Sequence, residues 1–516
     1  MSNKDTGSFY TPVSLIDYMV SYIKPRVQPH SILEPSAGDG RFVNALRCFN
    51  APIALVESEK KKVDALRAQF GDTCRIYGND FVSLSLQTDD SYDLVIGNPP
   101  YIAKKKVLKE EAEATQRLVQ SFGLEMGVFQ NLWVSFVLAS IRVLSREGAI
   151  FFVLPFEFLQ IQYAEKLREF LEKRFNTIEI ITFEKRVFED IEQDICLVYM
   201  ANEAKAKSYV QYTTLTSANE PTQLFQSQIS RNKPIKKWSN CILNDEETEK
   251  LRSLANKYPL IGSFGEISPG IVTGANSFFI LPKVEMEGLG VPDANVLPVI
   301  TKSSMIPRLF LFKKTDFDGI CGTRNRTHLL SLCGLNYNMF SDRLREYVAS
   351  GEAQKINEGY KCSLRKRWYD VPIVEKGDVC FFKRYDRMPR LIVNCANIHA
   401  TDIVYNIRFD KPYDPLSFAF CFYNSLTLAL CEYNGRFYGG GVCELVPSEF
   451  KGLAIPYRKI KKYSVDQLDH MFRDGVKIEK VIDYVDDIVL SGLSHDERKY
   501  LIDVRKRYLD RRLKDS

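Results

Sequence analysis

The first 200 residues predict an α/β fold built on a parallel, doubly wound sheet, and two observations predict it. Short apolar runs of strand length alternate with segments in which apolar residues recur at helical spacing. The run YDLVIG is followed directly by NPPY, and its two prolines carry the chain out of a sheet in a stiff, extended turn. The alternation implies right-handed crossovers, and open sheets of this kind place ligands at the carboxyl ends of their strands.

The predicted elements follow one another along the chain. Strands separated by helical patterns such as FVNALRCF and KKVDALRAQF are predicted at 31–35, 52–58, 74–80 and 92–98. A helix, a strand, a second helix and two further strands are predicted at 131–144, 149–155, 164–175, 178–183 and 195–200.

The texture of the sequence changes after about Met200. The segment that follows is polar and weakly patterned, and we interpret it as a linker into a second domain. Beyond it, short β-like runs mix with Gly and Pro turns, and the last stretch, about 464–513, returns to charged amphipathic helices. We therefore predict one domain over 1–205 and a mixed α+β domain with a helical C-terminus over 206–516.

The composition is that of a globular protein in a reducing compartment. With 516 residues, 45% hydrophobic and 26% charged, the chain has no uncharged apolar run of bilayer length and no apolar signal-peptide core, so we expect a cytoplasmic protein. The 12 cysteines are scattered without a C-x-x-C pair, and H-E-x-x-H is absent, so neither a metal site nor a disulfide framework is predicted.

The net charge is distributed unevenly between the two halves. Residues 1–205 carry 24 Lys and Arg against 28 Asp and Glu, whereas residues 206–516 carry 46 against 37. A slightly acidic half joined to a basic half suits a catalytic unit paired with a polyanion-binding unit, although a solvated lysine-rich surface gives the same count.

The first strand ends in a turn of small residues, SAGDG, flanked by carboxylates. Ser36, Gly38 and their neighbours let the backbone approach a ligand closely, while Glu34 and Asp39 make the loop acidic. Because the loop is not G-x-G-x-x-G and its charge repels a pyrophosphate, we expect a cationic or at least phosphate-free ligand.

The next two strands also end in carboxylates. Glu57 follows the second strand, where an acidic residue accepts the ribose hydroxyls of a nucleoside. Asp80 follows the third strand and is able to accept an adenine amino group while Phe81 stacks on the ring. A ligand with an ammonium, a ribose and an adenine but no phosphate satisfies all three strand ends, and S-adenosylmethionine meets that description.

The NPPY turn after the fourth strand suits chemistry on a planar amine. An exocyclic amine such as adenine N6 is a poor nucleophile because its lone pair is delocalised into the ring, and acceptors aimed at its two hydrogens favour the localised lone pair of the transition state. The Asn98 side-chain oxygen and the Pro99 carbonyl are two such acceptors. Tyr101 is placed to stack on the base, and Pro100 to shape the pocket floor.

Each of these features also has a structural alternative. A lone NPPY ends strands as a plain turn, and a small-residue loop forms a tight βα turn. Glu57 or Asp80, taken alone, more often caps a helix or faces solvent. Their occurrence in order, at successive strand ends, is what favours a binding site.

Together these motifs resemble the gamma class of amino-methyltransferases, the DNA adenine-N6 methyltransferases of type II restriction–modification systems. The similarity covers GSFYTP, LEPSAGDG, ALVESE, NDF and GNPPY, in the order of that class, with the YTP element before the first strand. Weaker similarity extends through GIVTGANSFFIL and the segment 423–456. The resemblance implies a Rossmann-like S-adenosylmethionine-dependent methyltransferase domain over 1–205, followed by a DNA target-recognition domain over 206–516.

The resemblance also implies roles for individual residues. The family's aromatic that sandwiches a flipped adenine against Tyr101 aligns with Phe188, for which a core position beside ICLVYM is the alternative. Leu132 and Phe136 match helix positions that line the cofactor, and they also suit an ordinary core. The implied catalytic residues are Asn98, Pro99, Pro100, Tyr101 and Phe188, and the implied cofactor-binding residues are Thr11, Glu34, Ser36, Gly38, Asp39, Glu57, Asp80, Phe81, Leu132 and Phe136.

Two segments of the second half, KCSLRKRWYD and KRYDR, mix basic residues with aromatics. This mixture suits phosphate contact combined with stacking, and a solvated basic surface is the alternative for each segment. The residues predicted to contact DNA are Arg365, Lys366, Arg367, Trp368, Tyr369, Lys383 and Arg384.

Three competing functions are open to comparison. NPPY also occurs in enzymes that methylate RNA or a protein glutamine amide, but the large basic second half exceeds what a protein-tail substrate requires. Cytosine-C5 methylation needs a cysteine preceded by proline, and no proline of this chain is followed by cysteine, so we reject it. A non-catalytic DNA specificity module is disfavoured because Asp39, Glu57, Asp80 and Asn98 are all retained.

We therefore expect a monomeric enzyme that transfers a methyl group from S-adenosylmethionine to N6 of an adenine in double-stranded DNA. Base flipping is expected because N6 in a stacked duplex cannot meet the methyl group in line. A separate cognate restriction endonuclease is also expected, since the YTP element begins within ten residues of the start and leaves no room for a preceding nuclease.

Overall fold

The computed structural model describes residues 10–188, 194–203, 209–232, 234–321, 325–437 and 439–513. The chain divides into two compact units. The first unit comprises Met1–Lys250, Phe437–Gly441 and Asp510–Ser516, and the second comprises Leu251–Arg436 and Val442–Leu509.

The first unit is built around a sheet that has nine strands within the described residues. Its spatial order is β3-β2-β1-β4-β5-β7-β6-β8-β9. The strands are β1 (Ile32–Glu34), β2 (Ile53–Val56), β3 (Cys74–Tyr77), β4 (Tyr92–Gly97), β5 (Leu144–Pro155), β6 (Thr177–Phe183), β7 (Ile195–Ala201), β8 (Tyr209–Leu215) and β9 (Gln223–Ser230).

The sheet is parallel from β3 through β5 and becomes mixed beyond that strand. β1 lies between β2 and β4, with Ile32 opposite Ile53 on one side and Leu94 on the other. β7 pairs antiparallel with β5 and with β6, and β9 pairs antiparallel with β8. The four strands β1 to β4 therefore end at one edge of the sheet, where their carboxyl-terminal residues are brought together.

The central strands are largely apolar because both faces of the sheet are covered. Leu94, Val95 and Ile96 of β4 are all fully buried. The helix Val13–Ile23 packs through Leu15, Ile16 and Met19 into the same core.

The α-helices of the described residues are distributed over both units. They are Val13–Ile23, Arg41–Leu46, Lys60–Phe70, Phe81–Gln87, Lys109–Ser121, Leu132–Arg142, Glu165–Arg174, Asp245–Ala255, Asn276–Phe279, Lys283–Gly288, Lys314–Cys321, Asp342–Ala353, Tyr360–Ser363, Pro415–Phe422, Ser425–Asn434, Pro447–Lys451, Lys462–Arg473, Ile478–Val489 and His495–Arg512. Within the residues that the structure describes, none of these helices combines the length and apolar character needed to cross a membrane.

The second unit contains two four-stranded sheets, ordered β10-β18-β14-β16 and β11-β13-β12-β17, and a short pairing of β15 with β20. The remaining strands of the chain are β10 (Gly265–Pro269), β11 (Ile280–Leu281), β12 (Val296–Ile300), β13 (His328–Leu330), β14 (Val379–Phe382), β15 (Arg384–Tyr385), β16 (Arg390–Val393), β17 (His399–Ala400), β18 (Val404–Phe409), β19 (Arg436–Phe437) and β20 (Cys443–Glu444).

The predicted fold class is confirmed: a doubly wound α/β sheet precedes a mixed α+β region that ends in helices. One interpretation is wrong, because the polar segment after Met200 is not a linker. It contains β8 and β9, which extend the large sheet. The sequence of this segment is polar because β9 is the edge strand of the sheet, where Gln223, Leu224 and Gln226 are exposed. The predicted boundary at 205 therefore falls inside the sheet, and the first unit continues to Lys250.

Candidate functional site

A cavity of about 430 Å³ lies where β1, β2, β3 and β4 end. Every residue predicted to bind the cofactor lines it, and so does the NPPY turn. These lining residues are Thr11, Glu34, Ser36, Gly38, Asp39, Glu57, Asp80, Phe81, Asn98, Pro99, Pro100, Tyr101, Leu132 and Phe136.

Glu34 is the most deeply buried carboxyl group in the lining of the cavity. Its side chain is 1% exposed, and its Oε2 atom has no hydrogen-bond partner among the described residues. Burial, together with the nearby carboxylates of Asp39 and Glu57, raises the pKa of Glu34 well above its usual range. An isolated carboxylate in this position is unfavourable unless a proton or a cation accompanies it.

Glu57 is held in place by backbone N–H groups. Gly38 N donates to Glu57 Oε2 at 3.0 Å, and Glu59 N donates to Glu57 Oε1 at 2.8 Å. Gly38 has a φ of +57°, a left-handed conformation that favours glycine. Each carboxylate oxygen keeps a further acceptor position, so the pair is able to receive two ligand hydroxyls.

Asp80 caps the helix Phe81–Gln87 and also faces the cavity. Its two carboxylate oxygens accept from Val82 N at 3.1 Å and Ser83 N at 2.8 Å. The structural alternative of a helix cap therefore holds for Asp80, together with its position on the cavity wall.

An apolar wall stands beside Asp80. The ring of Phe81 lies 5.3 Å from the ring of Phe136, centroid to centroid, and Leu132 is buried next to the same cavity. A flat aromatic ligand is able to pack against this wall.

The NPPY turn is tied to two neighbouring strands. Ser36 Oγ donates to the backbone oxygen of Asn98 at 3.0 Å, which links the turn after β1 to the end of β4. Tyr101 Oη donates to the backbone oxygen of Val153 in β5 at 3.1 Å. Burial raises the pKa of Tyr101 well above its usual range, so its hydroxyl remains a donor. The side-chain oxygen of Asn98 is buried in this setting.

Phe188 does not line the cavity. It is 8% exposed and belongs to the buried core with Ile195 and Leu197, against which Tyr101 also packs. The residues that follow it, 189–193, lie outside the described ones. Its stacking role therefore remains a prediction.

Arg41 is a site residue that the sequence analysis missed. It ion-pairs with Asp39, with Nη2 to Oδ2 at 2.6 Å, and donates from Nη1 to the backbone oxygen of Thr11 at 2.8 Å. Its guanidinium lies 4.8 Å from the centre of the Tyr10 ring. The Asp39 carboxylate, which lines the cavity, thus also orients Arg41, and Arg41 links the turn to the Tyr10–Thr11 segment. The expectation that Asp39 contacts the ligand stays a prediction. The signal was an arginine two residues after an aspartate in GDGRF.

Glu111 was also missed, because it lies in a helix and not at a strand end. It lines the cavity from the first turn of Lys109–Ser121 and lies within hydrogen-bond reach of Asp80. Burial, with the charge and hydrogen bond of Asp80, raises the pKa of Glu111 to about 8. Asn79 and Lys62 also line the cavity, and neither was selected from the sequence.

In the second unit, the arginines predicted to contact DNA hold the fold together. Arg365 donates to the backbone oxygens of Val272 at 3.0 Å and Thr273 at 2.7 Å. Arg367 pairs with Asp370 at 2.8 Å and donates to the backbone oxygen of Leu335 at 2.7 Å. Both guanidinium groups therefore make contacts within the protein, and their contact with DNA stays a prediction.

Most of the other residues predicted to contact DNA also make contacts within the folded chain. Trp368 packs 5.2 Å from the ring of Phe278 and donates to Glu352, and Tyr369 is buried. Ion pairs engage the two residues of the second segment: Lys383 with Asp402 at 3.6 Å, and Arg384 with Glu444 at 3.3 Å. Lys366 is exposed and has no ion pair in the described structure.

Comparison with known families and relatives agrees with the resemblance stated above. The family "Eco57I restriction-modification methylase" matches residues 47–188, and the family "Type II methyltransferase M.Eco57I, C-terminal domain" matches residues 235–490. M.AccI, a type II methyltransferase of Acinetobacter calcoaceticus, is 22% identical over 96% of this chain and 95% of its own. M.XamI, a type II methyltransferase of Xanthomonas campestris pv. amaranthicola, is 21% identical over 87% of this chain and 85% of its own.

A solved structure shares the fold across both units. The type IIL restriction-modification enzyme MmeI, solved in complex with DNA, matches with a TM-score of 0.58 and 12% identity, over 97% of this chain and 75% of that one. The predicted resemblance to methyltransferases of type II restriction–modification systems is confirmed by the family matches and the two relatives.

Proposed function

We propose that this chain, similar over its length to the type II methyltransferases of restriction–modification systems, transfers a methyl group from S-adenosylmethionine to adenine N6 in double-stranded DNA. The observation that carries the proposal is the position of Asn98-Pro99-Pro100-Tyr101. This turn follows β4 on the wall of a cavity in which the buried Glu34 carboxyl group has an oxygen with no partner among the residues described, a setting that favours a cation.

The cavity fits the three parts of the proposed cofactor. Glu34 is placed to hold an ammonium group, because its buried Oε2 lacks a partner among the residues described. Glu57, oriented by two backbone N–H groups, is placed to accept the ribose hydroxyls. Asp80 and the Phe81–Phe136 wall are placed to take the adenine. When bound, the cofactor supplies an electrophilic methyl group.

The NPPY turn supplies what the target amine needs. The Asn98 side-chain oxygen and the Pro99 carbonyl accept the two amine hydrogens and thereby favour the localised lone pair. Ser36 fixes the Asn98 backbone, and the bond from Tyr101 to Val153 fixes the ring plane against which the base stacks. Both contacts reduce the reorganisation that the turn undergoes when the base enters.

The target base is proposed to leave the duplex. A stacked adenine exposes its N6 in the major groove, and its amine cannot reach a group enclosed at the strand ends of the sheet. Tyr101 forms one wall for the extruded base. We propose Phe188 as the opposite wall. In this role its side chain has either to move out of the core in which it is buried or to reach beyond its core contacts.

Purified protein with labelled S-adenosylmethionine and duplex DNA tests this function. Nucleoside analysis by mass spectrometry is expected to find N6-methyladenine with the wild type and none with Asn98→Ala. Ser121→Ala, a substitution at the exposed C-terminal end of the helix Lys109–Ser121, is the control and should retain activity. N4-methylcytosine, or methyl transfer only to RNA or protein in the same assay, would contradict the proposal.

The biological setting belongs to the same proposal. We infer a cytoplasmic, monomeric modification enzyme that protects DNA against a separate cognate restriction endonuclease. Disruption of the gene is then expected to be tolerated only when the endonuclease is also absent.

A further inference from the structure

We propose that an exposed patch on the second unit, consisting of Val272, Tyr360, Lys361, Leu364 and Lys366, binds the DNA duplex. This inference rests on the proposed function, and it replaces most of the DNA contacts expected from the sequence. Four of its residues lie on the short helix Tyr360–Ser363 and the turn that follows it, and Val272 lies on a loop whose backbone oxygen accepts a hydrogen bond from Arg365 in that turn.

The patch displays large apolar side chains to solvent. Tyr360 is 74% exposed and Leu364 is 69% exposed, although they lie only four positions apart. Val272, whose backbone oxygen accepts from Arg365, is also exposed. Clustered exposed apolar residues, unlike single ones, mark interaction surfaces.

Buried anchors hold the patch in a defined shape. Cys362, between the two exposed residues, is fully buried in the core with Phe278 and Phe279. Arg365 ties the following turn to the 272–273 backbone and to the backbone oxygen of Trp368. The exposed side chains are therefore presented on a fixed backbone, which lowers the entropy lost on binding.

Close packing at Gly274 also helps to fix the shape of the patch. Gly274 has a φ of +81°, and a β-carbon added there would lie 2.8 Å from Lys361 Cβ. Glycine thus allows the 272–275 loop to lie directly against the helix that carries Lys361. The loop and the helix form one continuous surface.

The charge of the patch selects a polyanion. Lys361 and Lys366 are exposed, and within the described residues neither makes an ion pair. The Lys361 ammonium lies 5.4 Å from the centre of the Tyr360 ring. Lysines beside an exposed aromatic and an exposed leucine suit a duplex, where ammonium groups contact phosphates and apolar side chains contact sugars or base edges in a groove.

DNA fits this patch better than a membrane or a second protein. Two exposed apolar side chains and a valine are too little for stable insertion into a lipid surface. Protein interfaces are depleted of lysine, whereas phosphate contacts use it. Arg365 and Arg367, which the sequence pattern favoured, act as positioning residues behind the patch.

The test is DNA binding measured by fluorescence anisotropy over a series of salt concentrations, with a duplex that the wild type methylates. Lys361→Ala combined with Lys366→Ala is expected to weaken binding about tenfold at low salt and to reduce the salt slope by about 2, one for each phosphate contact. Tyr360→Ala combined with Leu364→Ala should weaken binding about tenfold and leave the slope unchanged.

The control removes one lysine and one exposed apolar side chain elsewhere in the second unit. Lys283→Ala combined with Val284→Ala deletes an exposed valine and a lysine that is ion-paired with Glu287, and it should change affinity less than twofold. All variants are checked for the wild-type thermal midpoint and for unchanged cofactor binding.

The outcomes separate this inference from the function on which it rests. If the wild type methylates DNA but both patch variants bind with its affinity and salt slope, the patch inference is overturned and the function stands. If the wild type neither binds nor methylates DNA, both fall. If the patch variants convert a dimer into a monomer in light scattering, the patch is an interface between copies of this chain and the inference is again overturned.

Discussion

At the scale of single residues, the carboxyl groups of the cavity have different partners and therefore different uses. Asp39 is neutralised by Arg41, Glu57 accepts two backbone N–H groups, and Asp80 caps a helix. Glu34 keeps a buried oxygen without a partner in the described part of the chain. Of the four, Glu34 is the group whose charge is least compensated by the protein, and a bound cation is its natural complement.

Glu34→Gln is expected to weaken binding of S-adenosylmethionine by roughly 10- to 100-fold, because a charge-assisted hydrogen bond contributes about 1.5–3 kcal/mol. The same change should raise the free energy of unfolding. Since the pKa of Glu34 is raised in the folded state, the ionised carboxylate opposes folding above the unfolded pKa, and increasingly so as pH rises. Calorimetric titration at pH 8 and urea unfolding measure the two effects.

Glu59→Gln, at the exposed rim of the same cavity, is the control for Glu34→Gln. A loss of cofactor affinity as large in this control, or a loss of stability in Glu34→Gln, would assign Glu34 to the fold and not to the ligand.

Glu111→Gln is expected to stabilise the protein in a pH-dependent manner. The pKa of Glu111 is raised to about 8 in the folded state, so the native protein binds this proton more tightly than the unfolded chain does. Ionisation of Glu111 therefore lowers the free energy of unfolding as the pH rises from the pKa of the unfolded chain to about 8. Glutamine does not ionise, so the variant lacks this decrease. The difference in unfolding free energy between variant and wild type, measured by urea unfolding, should grow from pH 5 to pH 8 and then level off, and a difference that stays constant over this range would contradict the prediction.

At the scale of elements, the turn after β1 depends on two glycines in left-handed conformations. Gly40 has a φ of +74°, and an added β-carbon would lie 2.6 Å from Phe70 and 2.8 Å from Leu66. Gly38 has a φ of +57°, but its nearest neighbour in that direction is Tyr10 at 3.5 Å. Alanine is therefore strained at both positions and overpacked only at Gly40.

Gly40→Ala is expected to lower the free energy of unfolding by about 2–4 kcal/mol, from backbone strain and overpacking together. Gly38→Ala should lose only about 1–2 kcal/mol, from the backbone alone. Urea unfolding compares the two variants. Equal losses of unfolding free energy in the two variants would contradict this prediction, because they would show that Leu66 and Phe70 move aside at no energetic cost.

The strands of the first unit were predictable because buried parallel strands are continuously apolar and are bounded by turn residues. β4 illustrates this, since its end is marked by Pro99 and Pro100. β8 and β9 were not predictable by that rule. β9 is the edge strand of the sheet, where one side is exposed and polar residues such as Gln223 and Gln226 are tolerated, and β8 pairs with it.

The cavity was predictable wherever a residue follows a strand, because topology alone brings strand ends together. Arg41 and Glu111 lie inside helices and reach the cavity through their side chains, so strand ends gave no signal for them. For Arg365, Arg367 and Trp368, composition indicated charge and aromaticity. It does not distinguish a side chain that anchors a loop from one that faces DNA, and only the contacts of the folded chain do.

At the scale of the whole molecule, methyl transfer to a base within a duplex requires that base to leave the stack. DNA with 2-aminopurine at the target position is expected to show a rise in fluorescence when the wild type binds. Phe188→Ala should reduce that rise if Phe188 holds the extruded base, and should leave it unchanged if Phe188 serves only the core. No rise with the wild type would contradict base flipping.

The central claim is methyl transfer to adenine through the NPPY turn, and sequencing of modified genomic DNA tests it most directly. The wild-type chain and Asn98→Ala are expressed separately in a methylation-deficient bacterial host, and modified bases are mapped by long-read sequencing. We predict N6-methyladenine at one short recognition sequence with the wild type and none with Asn98→Ala. Unmodified DNA despite well-folded wild-type protein, or the same modification with both chains, would contradict the account.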